Sequence, residues 1–172
     1  IRSDDVAVRY IVASKLPLAS LKFWIDSFNP ILFPLLLKWL NQDVFVTVLA
    51  QVLISLAVWY GFILTFLRLI KHQTIRYLSI FVLTGFGLSI DSFGWNWVLI
   101  TESLANSMLI LYLSTLLLFY QNRGKQNQWK YSVLVLISSL LFCLVRDVGT
   151  YLILLVSLGL FFEWSFLFVR QI

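Results

Sequence analysis

The stretch that decides the fold is Val44 to Leu69, VFVTVLAQVLISLAVWYGFILTFLRL, which carries no charged residue before Arg68. A helix needs about 20 mostly apolar residues to cross roughly 30 Å of hydrocarbon, and this run is longer than that. An open sheet in lipid leaves backbone N–H and C=O groups unpaired at several kcal/mol each, and the run shows no alternation of period two. A transmembrane helix is therefore the expected structure. The same reading gives four more spans outward from it: Ile75 to Ile90, Trp97 to Tyr120, Tyr131 to Val145 and Tyr151 to Val169. The first and third of these are short, which a bilayer accommodates by thinning or by reduced tilt.

Composition agrees with that reading. Hydrophobic residues make up 60% of the 172 and charged ones 12%, with a mean hydropathy of +0.91, against about 45–50% and about 25% in soluble domains. That balance points away from a soluble globular domain. Disorder and collagen are excluded as well, since the chain has only 7 Gly and 3 Pro and no long polar tract. The formal charge of +5 arises from 13 Lys and Arg that sit mainly at the ends of apolar runs and form no basic cluster, so no nucleic-acid partner is expected. A single cysteine, Cys143, allows no intrachain disulfide. Because the chain starts at Ile1 and stops at Ile172 just after an apolar run, it reads as a piece of a longer membrane protein.

Residues 1–43 differ from the rest in holding all three prolines, Pro17, Pro30 and Pro34, and interleaved acids and bases. Val6, Tyr10 and Ala13 form a stripe with helical spacing, which predicts a short amphipathic helix at the interface. Phe23, Trp24 and Phe28 are expected to anchor the next turn among headgroups. The expected fold is thus all-α, a polytopic helix bundle over 44–172 with spans at 44–69, 75–90, 97–120, 131–145 and 151–169. Interfacial helices in an extracytoplasmic loop over 1–43 precede it.

Charge sets the orientation. Arg68, Lys71 and Arg76 flank the first connection between spans, Arg123, Lys125 and Lys130 the third, and Arg170 the end, whereas Asp91 to Asn96 holds no base. Those basic ends are expected on the cytoplasmic side. Asp4, Asp5, Asp26, Asp43, Asp91, Glu102 and Asp147 then fall outside, with Glu163 the exception.

Three places carry residues suited to chemistry. Asp4 and Asp5 follow Ser3 at the start of the amphipathic segment, where one carboxylate accepts a proton and the other stabilises charge or a metal, or where both simply cap a helix start. Glu102 lies about one turn inside the third span, with Asn106 four residues on along the same face, and is expected to face the protein interior because an ionised group in lipid costs several kcal/mol. Interfacial snorkelling or an interhelical hydrogen bond is an equal alternative for it. Arg146-Asp147 breaks two apolar runs, and a guanidinium there suits a phosphate, or else forms a loop ion pair. His72 is expected as a solvated loop residue, and Gly61, Gly85, Gly87 and Gly159 as packing positions, since no glycine-rich nucleotide loop is present.

Taken in order, these features resemble the GT-C class of membrane glycosyltransferases, in particular the polyprenyl-phosphate-sugar-dependent branch that includes protein mannosyltransferases. Asp4-Asp5 with Tyr10 and Ala13 is similar to the acidic start of that family's first extracytoplasmic loop. Asn29-Pro30-Ile31-Leu32-Phe33-Pro34-Leu35-Leu36-Leu37 is similar to its proline-marked segment, and Thr101-Glu102-Ser103-Leu104 to its Thr/Ser-Glu step. Arg146-Asp147-Val148-Gly149 resembles its Arg-Pro-x-Gly turn, with Asp147 where the family has proline.

The resemblance implies sugar transfer from a polyprenyl-phosphate-linked donor to a lipid, glycan or protein acceptor, outside the cytoplasm, in a multi-pass protein of a bacterial plasma or inner membrane. It implies Asp4 or Asp5 as the general base, Arg146 as the partner of the departing lipid phosphate, and Glu102, Asn106 and Asp147 around the substrate. It implies no obligatory cofactor and leaves a divalent metal open. Two other readings of the same residues are a transporter or flippase fragment, with Glu102, Asn106 and Arg146 lining a path, and a nonenzymatic scaffold whose polar groups are satisfied between helices.

Overall fold

A computed structural model describes residues 3–20, 31–88, 101–125, 127–145, 153–154 and 156–159, with the backbone alone at 3–7, 9 and 101. Among the described residues every regular element is a helix. In chain order these are α1 (Ser3–Lys15), α2 (Leu32–Trp39), α3 (Val44–Leu67), α4 (Gln73–Gly87), α5 (Thr101–Gln121) and α6 (Gln128–Cys143). Residues 153–154 and 156–159 are helical too. Among the described residues two helices are long and apolar enough to cross a membrane: α3, with 24 residues, and the 20 residues from Glu102 to Gln121 in α5. The two short spans come out as helices of 15 and 16 residues, which rise only about 22 to 24 Å.

Local chemistry explains the helix boundaries. Pro34 sits in the first turn of α2, where its missing N–H belongs to a position with no intrahelical acceptor. The chain then leaves α2 through Asn41 and Gln42 at φ 54° and 63°, and the Gln42 N–H donates to the Leu37 carbonyl at 2.8 Å, which closes the helix end. Asp43 caps the next helix: its carboxylate accepts from the Val46 N–H at 3.1 Å. The turn between α5 and α6 needs Gly124, at φ 78°, whose N–H donates to the Gln128 side chain at 2.7 Å.

Burial differs between the two long helices: 28% of the most apolar window of α3 is buried and 56% of that of α5, and Phe45, Tyr60, Phe81 and Tyr120 are each more than 60% exposed, while Phe33, Leu37, Leu104 and Val135 are buried. Inside lie hydroxyls and amides: Thr47, Gln51, Ser55, Ser103, Ser107, Ser114, Thr115, Ser132, Ser138 and Ser139 are all buried. Small hydroxyl side chains allow close helix approach, and most of these donate to a carbonyl three or four residues back, as Ser107 does to Ser103 at 3.0 Å and Ser114 to Ile110 at 2.8 Å. A core helix of a soluble protein hides its apolar face, whereas a helix with an apolar exterior and small polar residues inside matches hydrocarbon surroundings.

Interhelical contacts set the order of the ends. The Gln121 amide donates to the Thr65 carbonyl at 3.0 Å, and Ile54 packs against the cluster built on Leu104, Ala105 and Met108. Helices α3 and α5 therefore run parallel, and the connections after Leu67 and after Gln121 lie at one end. Helix α6 returns antiparallel: Thr115 meets Ser138 at 2.7 Å, and Phe142 and Val145 join Leu104 and Met108. At that opposite end α2 closes the bundle, with Phe33 and Leu37 fully buried in the same cluster and the Leu32 N–H donating to the Leu144 carbonyl at 3.1 Å.

Glycine roles divide. A Cβ on Gly87 would sit 3.2 Å from the Trp59 ring, so Gly87 is where α4 packs on α3. Gly61, Gly85 and Gly159, expected as packing positions too, have no side chain or foreign backbone of the described residues near their Cβ sites.

Candidate functional site

Helix α1 is fastened to α2 by packing and by one cation. Tyr10 meets Phe33 edge to face with centroids 5.4 Å apart, and Ala13 and Ser14 are buried. The Ser14 hydroxyl donates to the Ile11 carbonyl at 2.7 Å, which permits its burial. From α2 the Lys38 amine donates to the Ser14 carbonyl at 3.3 Å and to the Leu16 carbonyl. These carbonyls end α1, where its dipole is negative, so an ammonium there satisfies and neutralises them together. Nothing in the sequence marked Lys38 for this role, because its partners lie on another element.

Asp4 and Asp5 occupy the first turn of α1, where their charge complements the helix dipole; their side chains lie outside the described residues. Glu102 stands in the first turn of α5, at the end of the bundle where α2 packs, and it is exposed rather than interior. The expectation of an inward Glu102 is thus corrected. Ser103 and Ser107 take the buried face, and Asn106 is half-buried beside it. A carboxylate at a helix start gains from the dipole and from solvent, so exposure relieves the cost that would have driven it inward.

Arg146 and Asp147 lie outside the described residues, as do Phe23, Trp24 and Phe28. Val145, immediately before them, is buried in the cluster with Phe33 and Leu104. The structure therefore brings α1, α2, the start of α5 and the end of α6 together at one end. His72 is exposed just ahead of α4, as expected. Among the described residues no three His, Cys, Asp or Glu side chains gather as a metal site.

At the opposite end an apolar groove of about 500 Å³ opens between α3 and α5, with Arg123 on its lining. Comparison with protein-family models, with characterised proteins and with solved structures returned no match. The likeness to GT-C glycosyltransferases accordingly stands on the motifs quoted above.

Proposed function

We propose that the chain is part of a multi-pass membrane protein and acts in sugar transfer from a polyprenyl-phosphate-linked donor to an acceptor at the outer face of the membrane. The observation that supports this reading is the cluster at one end of the bundle shared by Tyr10 and Ile11 of α1, Phe33 and Leu37 of α2 with its proline-marked turn, and Leu104 and Ala105 near the start of α5, the helix whose first turn holds Glu102. The bases of the two connecting turns lie at the other end. A reaction on a membrane-anchored donor needs its polar groups gathered at a single membrane face, and this grouping supports that need.

In the proposed mechanism Asp4 or Asp5 removes the acceptor proton as the acceptor oxygen attacks the anomeric carbon, and the lipid phosphate departs with the bonding electron pair. Arg146 balances the charge on that phosphate. Glu102 and Asn106, from one face of α5, orient the acceptor, and Asp147 completes the substrate surroundings. A divalent cation is compatible with the carboxylates and is not required by the scheme.

The scaffold reading draws on one specific observation, the row of buried hydroxyls along α5 and α6, satisfied by carbonyls of their own helices and, at Thr115 and Ser138, by each other, without chemistry. Substitution separates the two. In the whole protein Asp4→Asn or Asp5→Asn is expected to abolish sugar transfer, with expression and membrane insertion unchanged. Wild-type turnover by both variants would reject the catalytic assignment and favour the scaffold.

A further inference from the structure

Trp39 and Phe45 are exposed where the chain enters α3, and Tyr120 is exposed at the opposite end, one residue before the Gln121 amide meets the Thr65 carbonyl. From Phe45 to Thr65 helix α3 rises about 30 Å, the hydrocarbon thickness of a bilayer, so these rings stand where the aromatic belts of membrane helices stand. Helix α1 lies just inside the first belt. The Lys38 amine, next to Trp39 in sequence, holds its last carbonyls at Ser14 and Leu16, and Tyr10 packs on Phe33 in the cluster that contains Leu104. These contacts use the face of Tyr10, Ala13 and Ser14. Val8, Val12 and Lys15, at spacings of four and three on the opposite face, are all exposed.

We propose that α1 docks on the lipid of the leaflet at this end, with Val8 and Val12 among the upper acyl chains and Lys15 at headgroup level. An amphipathic helix seats its apolar face about 5–10 Å below the headgroups, and a lysine stem lets the ammonium rise back to them. At that depth the outer side of α3 is apolar too, with Phe45, Leu49 and Leu53 exposed, so the two valines continue a lipid-facing zone already present on the bundle. Helix α1 thus carries two apolar lines: the one through Tyr10 and Ala13, legible from spacing, is taken up by α2, and the one through Val8 and Val12 is left for lipid. This inference rests on the membrane insertion proposed above and is independent of sugar transfer.

The test is spin labelling of the chain in phospholipid vesicles, on a Cys143→Ser background, with a nitroxide placed in turn at Val8→Cys, Val12→Cys, Lys15→Cys and Leu53→Cys. Collision with oxygen, which enters hydrocarbon, is compared with collision with a polar nickel chelate, which does not. The labels at positions 8, 12 and 53 are expected to meet oxygen freely and the chelate at least about fivefold less than the label at position 15, because a polar solute is excluded from hydrocarbon. Chelate access at positions 8 and 12 equal to that at 15, with 53 still protected, would overturn the docking of α1 and leave the membrane reading standing. Protection of 8 and 12 from both reagents would show a protein partner on that face and overturn it too. Free chelate access at 53 as well would remove the bilayer on which both readings rest.

Discussion

At the scale of single residues, two side chains hold the polar end of the bundle in shape. Lys38 makes two charge-assisted hydrogen bonds across to the last carbonyls of α1, and bonds of that kind are worth about 1.5–3 kcal/mol each in favourable settings. Lys38→Met keeps the aliphatic stem and removes the charge. Its expected effect is at least a tenfold loss of amide hydrogen-exchange protection in Ser3–Lys15, with α5 and α6 unaffected; unchanged protection in α1 would show that the Tyr10–Phe33 contact suffices. Asp43 acts within the chain, as the cap of α3. Asp43→Ala is expected to lower stability by about 1 kcal/mol, measured by unfolding in mixed micelles, and Asp43→Asn to restore most of it. Asp43 could be read as an outer acid from charge alone. Lys38 could not be read as a clamp, because a lysine at the end of an apolar helix looks the same whether it snorkels or caps a neighbour.

At the scale of elements, the interface between α5 and α6 turns on a count of protons. Thr115 lies 2.8 Å from the Tyr112 carbonyl and Ser138 lies 3.0 Å from the Val135 carbonyl, while the two hydroxyl oxygens stand 2.7 Å apart. Two hydroxyl protons serve three acceptors, so one hydroxyl donates across the interface and the other to its own helix. Loss of either partner leaves the survivor a carbonyl to bond, so the coupling is small. A double-mutant cycle with Thr115→Val and Ser138→Ala is expected to give about 0.6 kcal/mol, the usual value between membrane helices. A coupling above about 2 kcal/mol would contradict that proton count.

Hydropathy made α3 and α5 legible, because length and apolar content are the quantities a bilayer tests. Which face of α5 turns inward was not legible, since Glu102 and Asn106 lie on one helical stripe and Ser103 and Ser107 on another, and only the neighbouring helices choose between them. The burial of Gln51 and Ser55 on α3 escaped for the same reason.

At the scale of the whole molecule, the parallel course of α3 and α5 ties charge to geometry. The hydrogen bond from Gln121 to Thr65 joins two connecting turns that sequence charge had already paired, Arg68 to Arg76 and Arg123 to Lys130. Helix α2 packs on the first turns of α5 at the other end, where Tyr10 and Ile11 of α1 join the same cluster and Glu102 stands in the first turn of α5. If that axis stands across a bilayer, one membrane face meets Glu102 and the other meets Lys71 and Lys125.

Cys143 is the sole cysteine of the chain, so Cys143→Ser supplies a background for single-cysteine labelling. In intact cells a membrane-impermeant maleimide is expected to label Glu102→Cys and to spare Lys71→Cys and Lys125→Cys, and permeabilisation is expected to expose the latter pair. Bases retained on the cytoplasmic side require this polarity. Labelling of Lys71→Cys and Lys125→Cys from outside with Glu102→Cys protected would invert the orientation, placing the acidic end in the cytoplasm and removing the shared outer face on which the sugar-transfer proposal depends. Labelling of all three from outside would deny that α3 and α5 cross the bilayer, because parallel helices whose opposite ends reach the same aqueous phase do not span it.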